Sequence, residues 1–395
     1  MGAELRLMIP GPTTVPGSVL RAMSRPMINH RTAGFSELLQ SCTKKLQWLY
    51  QTSDEILVLT CSGTGGLEAA LVNVLSPGDS VLSLSTGVFG KRFADIAQAY
   101  GAVVDRVEWP IGKAYDISRV EEIVSAGKNY QVVLLTHNET STAILNPIPA
   151  IAAVIRRYMP RTLILVDAVS GLGIADLPVE RCELDVVVAA SQKACMAPPG
   201  LAFVSMSARA WEAHGRAKAP RFYFDLGRAR SFSAKGQTPW TPAISVLYAL
   251  EEALSMLQEE GLTEVFWRHE LLTKALRAGL RASGLGLLVE DDNIASRAVT
   301  AVFPPKGVSP KGLRQQIATH FGIVLAGGQG ELADSIFRIG HLGHCNSLDI
   351  LSVLGALEIV LSEFVGTDRV LGQGVAAAQR MLKKLAQPEL AVPGL

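Results

Sequence analysis

Short apolar runs alternate with longer amphipathic stretches between about residues 55 and 206. The apolar runs have the length of strands and are rich in leucine and β-branched residues; they cover 56–60, 81–84, 132–136, 163–166, 186–189 and 202–204. Continuous apolar runs are typical of strands buried on both faces, as in a parallel sheet covered by helices. The stretches between them predict helices at 67–75, 118–124 and 147–158, the second starting with a capping box of Ser118 and Glu121. The alternation predicts an α/β domain with right-handed crossovers.

The pattern changes after about residue 260. A helix over 242–257 is predicted to end at Gly261, and a long helix over 262–282 follows it. Further strands are predicted at 298–303 and 337–340, with helices at 311–321, 348–364 and 376–385. We therefore expect three parts: an N-terminal segment (1–20) that packs on the rest, a large domain (21–259), and a smaller α+β C-terminal domain (260–395).

Composition and charge exclude several classes of protein. The 395 residues carry 37 basic and 36 acidic side chains, so nothing indicates a nucleic-acid partner. The chain shows neither a targeting pattern nor a membrane-spanning apolar run, and we expect a cytoplasmic protein with no membrane partner. The five cysteines are scattered without a CxxC pair, which argues against a disulfide framework, an iron–sulfur cluster or a zinc site. The spacing of His137, His341 and His344 does not suit metal ligands, and we interpret these residues as packing residues or as residues that support the direct contacts of a site.

Small polar residues follow the first apolar run of the predicted sheet. Ser62, Gly63 and Thr64 lie between a predicted strand and a helix, where backbone N–H groups and the helix N-terminus favour an anion. Glu68 breaks the dinucleotide-binding pattern of glycines, and no lysine follows as in a P-loop. A single phosphate fits this segment best; the alternative is a glycine-rich turn that only saves space.

An aspartate and a lysine follow two other predicted strands. A carboxylate such as Asp167, at the end of an apolar strand, needs a cationic or metal partner unless it caps a helix. Lys193 follows the next strand, where a lysine in apolar surroundings can form an imine, although a lone lysine is more often a surface residue. An imine-forming lysine, an acid for a pyridine nitrogen and a phosphate site together indicate pyridoxal 5′-phosphate.

Short motifs along the chain carry a resemblance to a known family. They are PGP at 10–12, SGT at 62–64, GVFG at 87–90, THNETST at 136–142, VDAV at 166–169, SQK at 191–193 with APPG at 197–200, TPWTP at 238–242, and FRIGH at 337–341. With these motifs the chain resembles, over residues 8–365, the class V (fold-type I) pyridoxal-phosphate aminotransferases of the alanine–glyoxylate and serine–glyoxylate (serine–pyruvate) branch.

The resemblance implies roles for the residues around the cofactor ring. Lys193 would form the Schiff base and later move the proton, and Asp167 would keep the pyridine nitrogen protonated. Val169 would pack under the ring and Phe89 would stack on its other face, where relatives often have tryptophan. Thr140 would donate a hydrogen bond to the phenolic oxygen of the ring. From sequence alone, Phe89 could equally be a core residue and Thr140 a helix cap.

The resemblance also implies roles at the phosphate and the substrate. The phosphate would be held by Ser62, Gly63, Thr64 and Gln192. Thr241 would reach the partner's phosphate across a homodimer interface, whereas Thr238 stands where some relatives have a tyrosine with a similar contact. Arg338 would grip the substrate carboxylate with two parallel hydrogen bonds, unless it forms a rim salt bridge, and Gly11 would lie beside the substrate.

The function implied is transfer of the amino group of alanine or serine to glyoxylate or pyruvate. Three alternatives remain from the sequence. Cysteine desulfuration would need a mobile cysteine, for which Cys345 is the candidate. Transamination of aminoethylphosphonate or ureidoglycine would use the same cofactor residues. A non-catalytic accessory role is the third alternative, because some relatives have been labelled as a subunit of a soluble hydrogenase.

Overall fold

The computed structural model describes residues 5–386, which form two large sheets with helices packed on them and a two-stranded sheet of Asn138–Glu139 and Ile144–Leu145. The strands are β1 Arg6–Met8, β2 Ile56–Leu59, β3 Ser80–Ser85, β4 Val103–Glu108, β5 Val132–Thr136, β6 Asn138–Glu139, β7 Ile144–Leu145, β8 Leu163–Asp167, β9 Val186–Ala190, β10 Ala202–Met206, β11 Gly286–Leu287, β12 Val299–Phe303, β13 Ile323–Gly327 and β14 Phe337–Gly340. The helices are α1 Gly17–Met23, α2 Ala33–Tyr50, α3 Gly63–Val72, α4 Val88–Ala99, α5 Ile117–Ser125, α6 Ile148–Tyr158, α7 Ala208–His214, α8 Leu226–Ser233, α9 Ile244–Glu260, α10 Leu262–Ala282, α11 Pro310–Phe321, α12 Ser347–Val365 and α13 Gln373–Ala386.

The larger sheet has seven strands in the order β2-β10-β9-β8-β5-β3-β4. Only β10 runs antiparallel to its neighbours; the other pairs are parallel. Alternate residues of each strand enter two separate cores: Val133 and Leu135 pack with α2, α6 and α9, whereas Val132 and Leu134 pack with α3, α4 and α7. Both faces are therefore covered by helices, which confirms the predicted mainly parallel α/β fold.

The smaller sheet has the order β1-β13-β14-β12-β11 and its own hydrophobic core with α10, α11 and α12. The N-terminal strand β1 joins this sheet parallel to β13, so the described part of the predicted N-terminal segment packs on its own chain. Residues 1–4 and 387–395, which belong to the predicted first and last parts, lie outside the described residues. We retain the division into two domains at residue 260 as a proposal. At this point α9 ends, with Gly261 as its C-cap, and α10 begins.

The hydrophobic pattern located most elements to within a few residues, and its failures have physical causes. The capping box of Ser118 and Glu121 is wrong: α5 starts earlier, because the Asp116 carboxylate accepts a hydrogen bond of 2.7 Å from the Arg119 N–H. Strand β4 was missed because it is an edge strand with a largely solvent-facing pattern. Among residues 5–386, no helix is long and apolar enough to cross a membrane.

Candidate active site

The loops that follow β2, β8 and β9 meet at one edge of the larger sheet. The register of the strands brings their ends together, since Thr136 of β5 pairs with Asp167 of β8, and Asp167 pairs with Val188 of β9. Ligand crevices in open α/β sheets lie at this carboxyl edge. The candidate residues that come from different parts of the chain therefore lie around one crevice.

The predicted anion site is the first turn of α3. Ser62 is its N-cap residue, and its Oγ accepts a hydrogen bond of 3.3 Å from the Gly65 N–H. Both Ser62 and Thr64 are exposed to solvent. A Cβ atom on Gly63 would lie 2.9 Å from Val169, so this glycine is also needed for close packing. The glycine therefore saves space, and the two hydroxyl-bearing residues beside it are exposed to solvent.

Asp167 is a buried carboxylate without a cationic partner. It is 4% exposed, its Oδ1 accepts a hydrogen bond of 2.9 Å from the Val169 N–H, and it forms no ion pair with any residue of the described chain. Burial raises its pKa from 3.8 to about 7, against the effect of that hydrogen bond. The residues that follow form turns, so the helix-cap interpretation is wrong.

Lys193 lies in the turn after β9, and its Nζ donates a hydrogen bond of 2.8 Å to the Pro10 carbonyl oxygen. Burial lowers the pKa of Lys193 to about 8; the charge of Arg338 acts in the same direction and that of Asp167 opposes it. Gly11 has a φ of +137°, and a Cβ atom there would lie 2.6 Å from the lysine Nζ. Only glycine satisfies both the backbone conformation and the approach of the lysine.

The three predicted ring contacts come from α4, from the β6–β7 hairpin and from the turn after β8. Phe89 is half-buried in the first turn of α4, with the Arg92 guanidinium carbon 4.9 Å from its ring centroid, and so is not a core residue. Thr140 lies in the β6–β7 hairpin rather than at a helix start, with its Oγ1 2.7 Å from Ser170 Oγ. Val169 lies two residues after Asp167, the last residue of β8, and packs against Gly63 at the start of α3.

Arg338 is buried in β14 and has no carboxylate partner in residues 5–386, so it is not a rim salt bridge. Its Nε donates to the Gly327 carbonyl and its Nη1 to the Thr140 carbonyl, each at 2.8 Å. Burial lowers the pKa of Arg338 to about 10. These neutral carbonyls orient the guanidinium without forming an ion pair, as suits an anion-binding group, and the charge of Glu139 opposes the lowering of its pKa.

Other candidate residues lie apart from this arrangement or pack around it. Thr241 is exposed on the surface of the single chain. His137 and His341 are buried, in keeping with packing or supporting roles, whereas His344 is exposed, so of the two interpretations packing does not hold for it. Cys345 is buried, and burial raises the pKa of its thiol, which does not favour a reactive loop cysteine.

Sequence reasoning assigned no role to Glu139 or to the Pro10 carbonyl. Glu139 is fully buried and lies in a polar run, 136–142, that is buried throughout. In the sequence, the signal is a run of seven polar residues that begins at the last residue of the apolar strand β5. All seven are buried in the structure, and this run could have marked the segment as part of a site.

Pyridoxal phosphate fits the groups that these residues offer. The Gln192 side chain forms no hydrogen bond in the described chain and its Oε1 atom is buried, so its NH₂ group can donate to a ligand oxygen. Asp167 lacks the cation that a protonated pyridine nitrogen would supply, and Lys193 is the buried amine that its aldehyde requires. The open first turn of α3 suits a single phosphate.

Comparisons with known proteins cover nearly the whole chain. The family model described as aminotransferase class-V matches residues 9–337. A protein of Anabaena cylindrica named soluble hydrogenase 42 kDa subunit is 43% identical, with 96% of this chain and 99% of that protein covered. The serine–glyoxylate aminotransferase of Arabidopsis thaliana is 33% identical, with 95% of each chain covered. The crystal structure of pyridoxamine–pyruvate aminotransferase from Mesorhizobium loti has a TM-score of 0.91 at 32% identity, covering 96% of this chain and 97% of that one.

Proposed function

The chain belongs to the class V aminotransferases, a pyridoxal-phosphate-dependent family, and on that premise we propose that it moves the amino group of alanine or serine to glyoxylate or pyruvate. The observation that carries the proposal is the pair of Asp167 and Lys193 at one crevice. A buried carboxylate without a cation and a buried amine of lowered pKa are what this cofactor needs at its two ends.

The residues that would hold the cofactor come from four loops. Asp167 would hold the proton of the pyridine nitrogen, Val169 and Phe89 would enclose the ring, and Thr140 would donate to its phenolic oxygen. The phosphate would be bound by Ser62, Gly63, Thr64 and Gln192. When bound, the cofactor supplies a carbonyl carbon that takes up an amino group. It also supplies a ring that draws electrons away from the group attached to that carbon.

Lys193 is the group that moves the proton in this proposal. Its Nζ would take the proton from the α-carbon of the substrate and later return it. With a pKa of about 8, the amine is neutral in a substantial fraction of molecules near neutral pH, which a base requires. The Pro10 carbonyl, 2.8 Å away, gives the free amine a fixed position beside the substrate.

Arg338 would bind the carboxylate that amino acids and 2-oxo acids share. Its Nε is held by the Gly327 carbonyl, and its Nη1 by the Thr140 carbonyl and, at 3.4 Å, by Gln329 Oε1, so Nη2 remains for the substrate. Gly11 leaves no room for a side chain at the lysine, which supports a small substrate. Both substrates would therefore share one anchor and one small crevice.

We also propose that the protein is a homodimer. Phe222 is 69% exposed and Tyr223 45% exposed, and Trp240 stacks on Tyr223 with a centroid distance of 5.9 Å. This aromatic group adjoins Thr241 and the phosphate turn, because the Tyr223 hydroxyl donates to the Thr60 carbonyl. Large exposed aromatic side chains beside a site support an interface that also brings Thr241 to the partner's phosphate.

The test is a spectrum followed by a matrix of amino donors and oxo acceptors. Purified protein with added cofactor is expected to absorb visible light, and borohydride should fix that cofactor to Lys193. Alanine or serine with glyoxylate or pyruvate should then give the fastest transfer. Protein that takes up no cofactor and transfers no amino group would favour the accessory role, whereas aspartate or aminoethylphosphonate as the best donor would refute the small-substrate assignment. Lys274→Ala, at an exposed ion-paired lysine of α10, is the matched control for Lys193→Ala.

A further inference from the structure

The first turn of α4 begins without a capping side chain of its own. Its N-cap residue is Gly87, so the first backbone N–H groups of the helix have no local acceptor. This turn carries Phe89, which the proposed function places on the cofactor ring. The groups that accept hydrogen bonds from these N–H groups therefore control the position of Phe89.

A neighbouring segment supplies the missing acceptors. The Val88 N–H donates to Ser141 Oγ at 3.0 Å, and the N–H groups of Phe89 and Gly90 donate to Glu139 Oε2 at 3.0 and 3.1 Å. The other carboxylate oxygen of Glu139, Oε1, accepts from the Ser141 N–H at 3.0 Å and from its hydroxyl at 2.5 Å. Glu139 and Ser141 thus cap a helix that lies about fifty residues earlier in the chain.

The close approach of the two segments depends on Gly87. A Cβ atom there would lie 2.4 Å from Ser141 Oγ and 2.7 Å from Glu139 Cδ. Glu139 itself is 0% exposed and has no ion-pair partner among residues 5–386. Burial raises the pKa of Glu139, and four hydrogen bonds and the positive end of α4 act in the opposite direction by stabilising its charge.

The same segment holds the candidate substrate anchor. Thr140 lies between the two capping residues. Its carbonyl oxygen accepts a hydrogen bond of 2.8 Å from Arg338 Nη1, and its Oγ1 contacts Ser170 Oγ. A shift of the capped segment would therefore move both the Phe89 turn and the acceptor that orients Arg338.

We propose that Glu139 is a positioning residue that holds Phe89 against the cofactor ring and Arg338 toward the substrate carboxylate. It would touch neither the cofactor nor the substrate, and acts through the first turn of α4 and the Thr140 carbonyl. This inference rests on the proposed function, since it presupposes that cofactor and substrate bind in the crevice. It assigns a role to a carboxylate that the proposed chemistry does not itself use.

Glu139→Gln tests the proposal with almost no change of shape. An amide has one acceptor oxygen where the carboxylate has two, so its NH₂ group must face either the α4 N–H groups or the Ser141 N–H. A matched control is Glu358→Gln, at a carboxylate between α12 and α13 that is 2% exposed. Glu358 likewise accepts from two backbone N–H groups, of Gly372 and Gly374, and from the Ser283 hydroxyl.

Three measurements separate positioning from general stability. These are the dissociation constant of pyridoxal phosphate from cofactor-free protein, the circular dichroism induced in the bound cofactor, and the KM for donor and acceptor. For Glu139→Gln we expect the dissociation constant and both KM values to rise about tenfold and the induced signal to change, because charge-assisted hydrogen bonds on the ring-bearing turn are lost. Glu358→Gln should lose comparable thermal stability but keep all three values within about twofold of wild type.

The outcomes distinguish this inference from the proposed function. If wild type binds cofactor and transfers amino groups while Glu139→Gln behaves like Glu358→Gln, the positioning role is refuted and the proposed function stands. If wild type binds no cofactor, the proposed function fails and the inference fails with it. If Glu139→Gln does not fold, the variant Ser141→Ala decides. It keeps the Glu139 carboxylate but removes the acceptor of the Val88 N–H. Unchanged cofactor binding and unchanged KM values in this variant would refute the positioning role.

Discussion

Replacing Asp167 by asparagine should stabilise the cofactor-free protein, and the gain should grow with pH. The carboxyl pKa is about 7 in the folded chain and 3.8 for a freely solvated aspartate, a difference of about three. At about 1.4 kcal/mol per unit, burying the ionised group costs up to about 4 kcal/mol above pH 7. Asparagine is never ionised and keeps an oxygen to accept the Val169 N–H.

The direction follows from proton binding. Between pH 3.8 and about 7 the folded chain holds the Asp167 proton more tightly than the unfolded chain, so this group's contribution to stability falls as the pH rises. The advantage of Asp167→Asn should therefore be about 2 kcal/mol at pH 5 and about 4 kcal/mol at pH 8. With an unfolding entropy of about 2.1 cal/mol/K per residue, 4 kcal/mol corresponds to roughly 5 °C for 395 residues.

Thermal unfolding of cofactor-free wild type and Asp167→Asn at pH 5 and pH 8 measures this difference. Adding pyridoxal phosphate should reverse the order at pH 8, because only the carboxylate gains an ionic partner in the pyridine nitrogen. Equal melting temperatures at pH 8 without cofactor would refute the reasoning, since they would mean that the carboxylate is solvated or already paired.

Three further variants test the site. Lys193→Ala is expected to abolish amino transfer with the fold intact, and borohydride labelling of a different lysine in wild type, seen by peptide mapping, would contradict the assignment. Arg338→Lys should raise the KM of both donor and acceptor about ten- to a hundredfold, because a charge-assisted pair contributes about 1.5–3 kcal/mol; an effect in only one half-reaction would exclude a shared anchor. Trp240→Ala should weaken the proposed dimer and lower cofactor affinity together, and light scattering that finds an active wild-type monomer would disprove the interface.

The residues that follow strands were predictable from sequence. The apolar runs located β2, β8 and β9, and the carboxyl edge of an α/β sheet gathers whatever follows them. Ser62, Asp167 and Lys193 could therefore be assigned to one crevice before any distance was known, and the resemblance to class V aminotransferases is confirmed by the family match. Helices α2 and α4, in contrast, were not predicted, and α4 carries Phe89, one of the proposed ring contacts.

What the sequence alone determined is the set of elements whose signal is local: a strand shows in a run of a few apolar residues, and a polar residue at its end is visible beside it. Only the tertiary structure decided which distant groups meet. The Pro10 carbonyl reaches Lys193 across 183 positions, and Arg338 reaches the Thr140 carbonyl across 198. No periodicity encodes such contacts, because they depend on how the small sheet, with β1 in it, packs beside the crevice. The capping of α4 by Glu139 is likewise a contact between distant parts of the chain that only the tertiary structure decides.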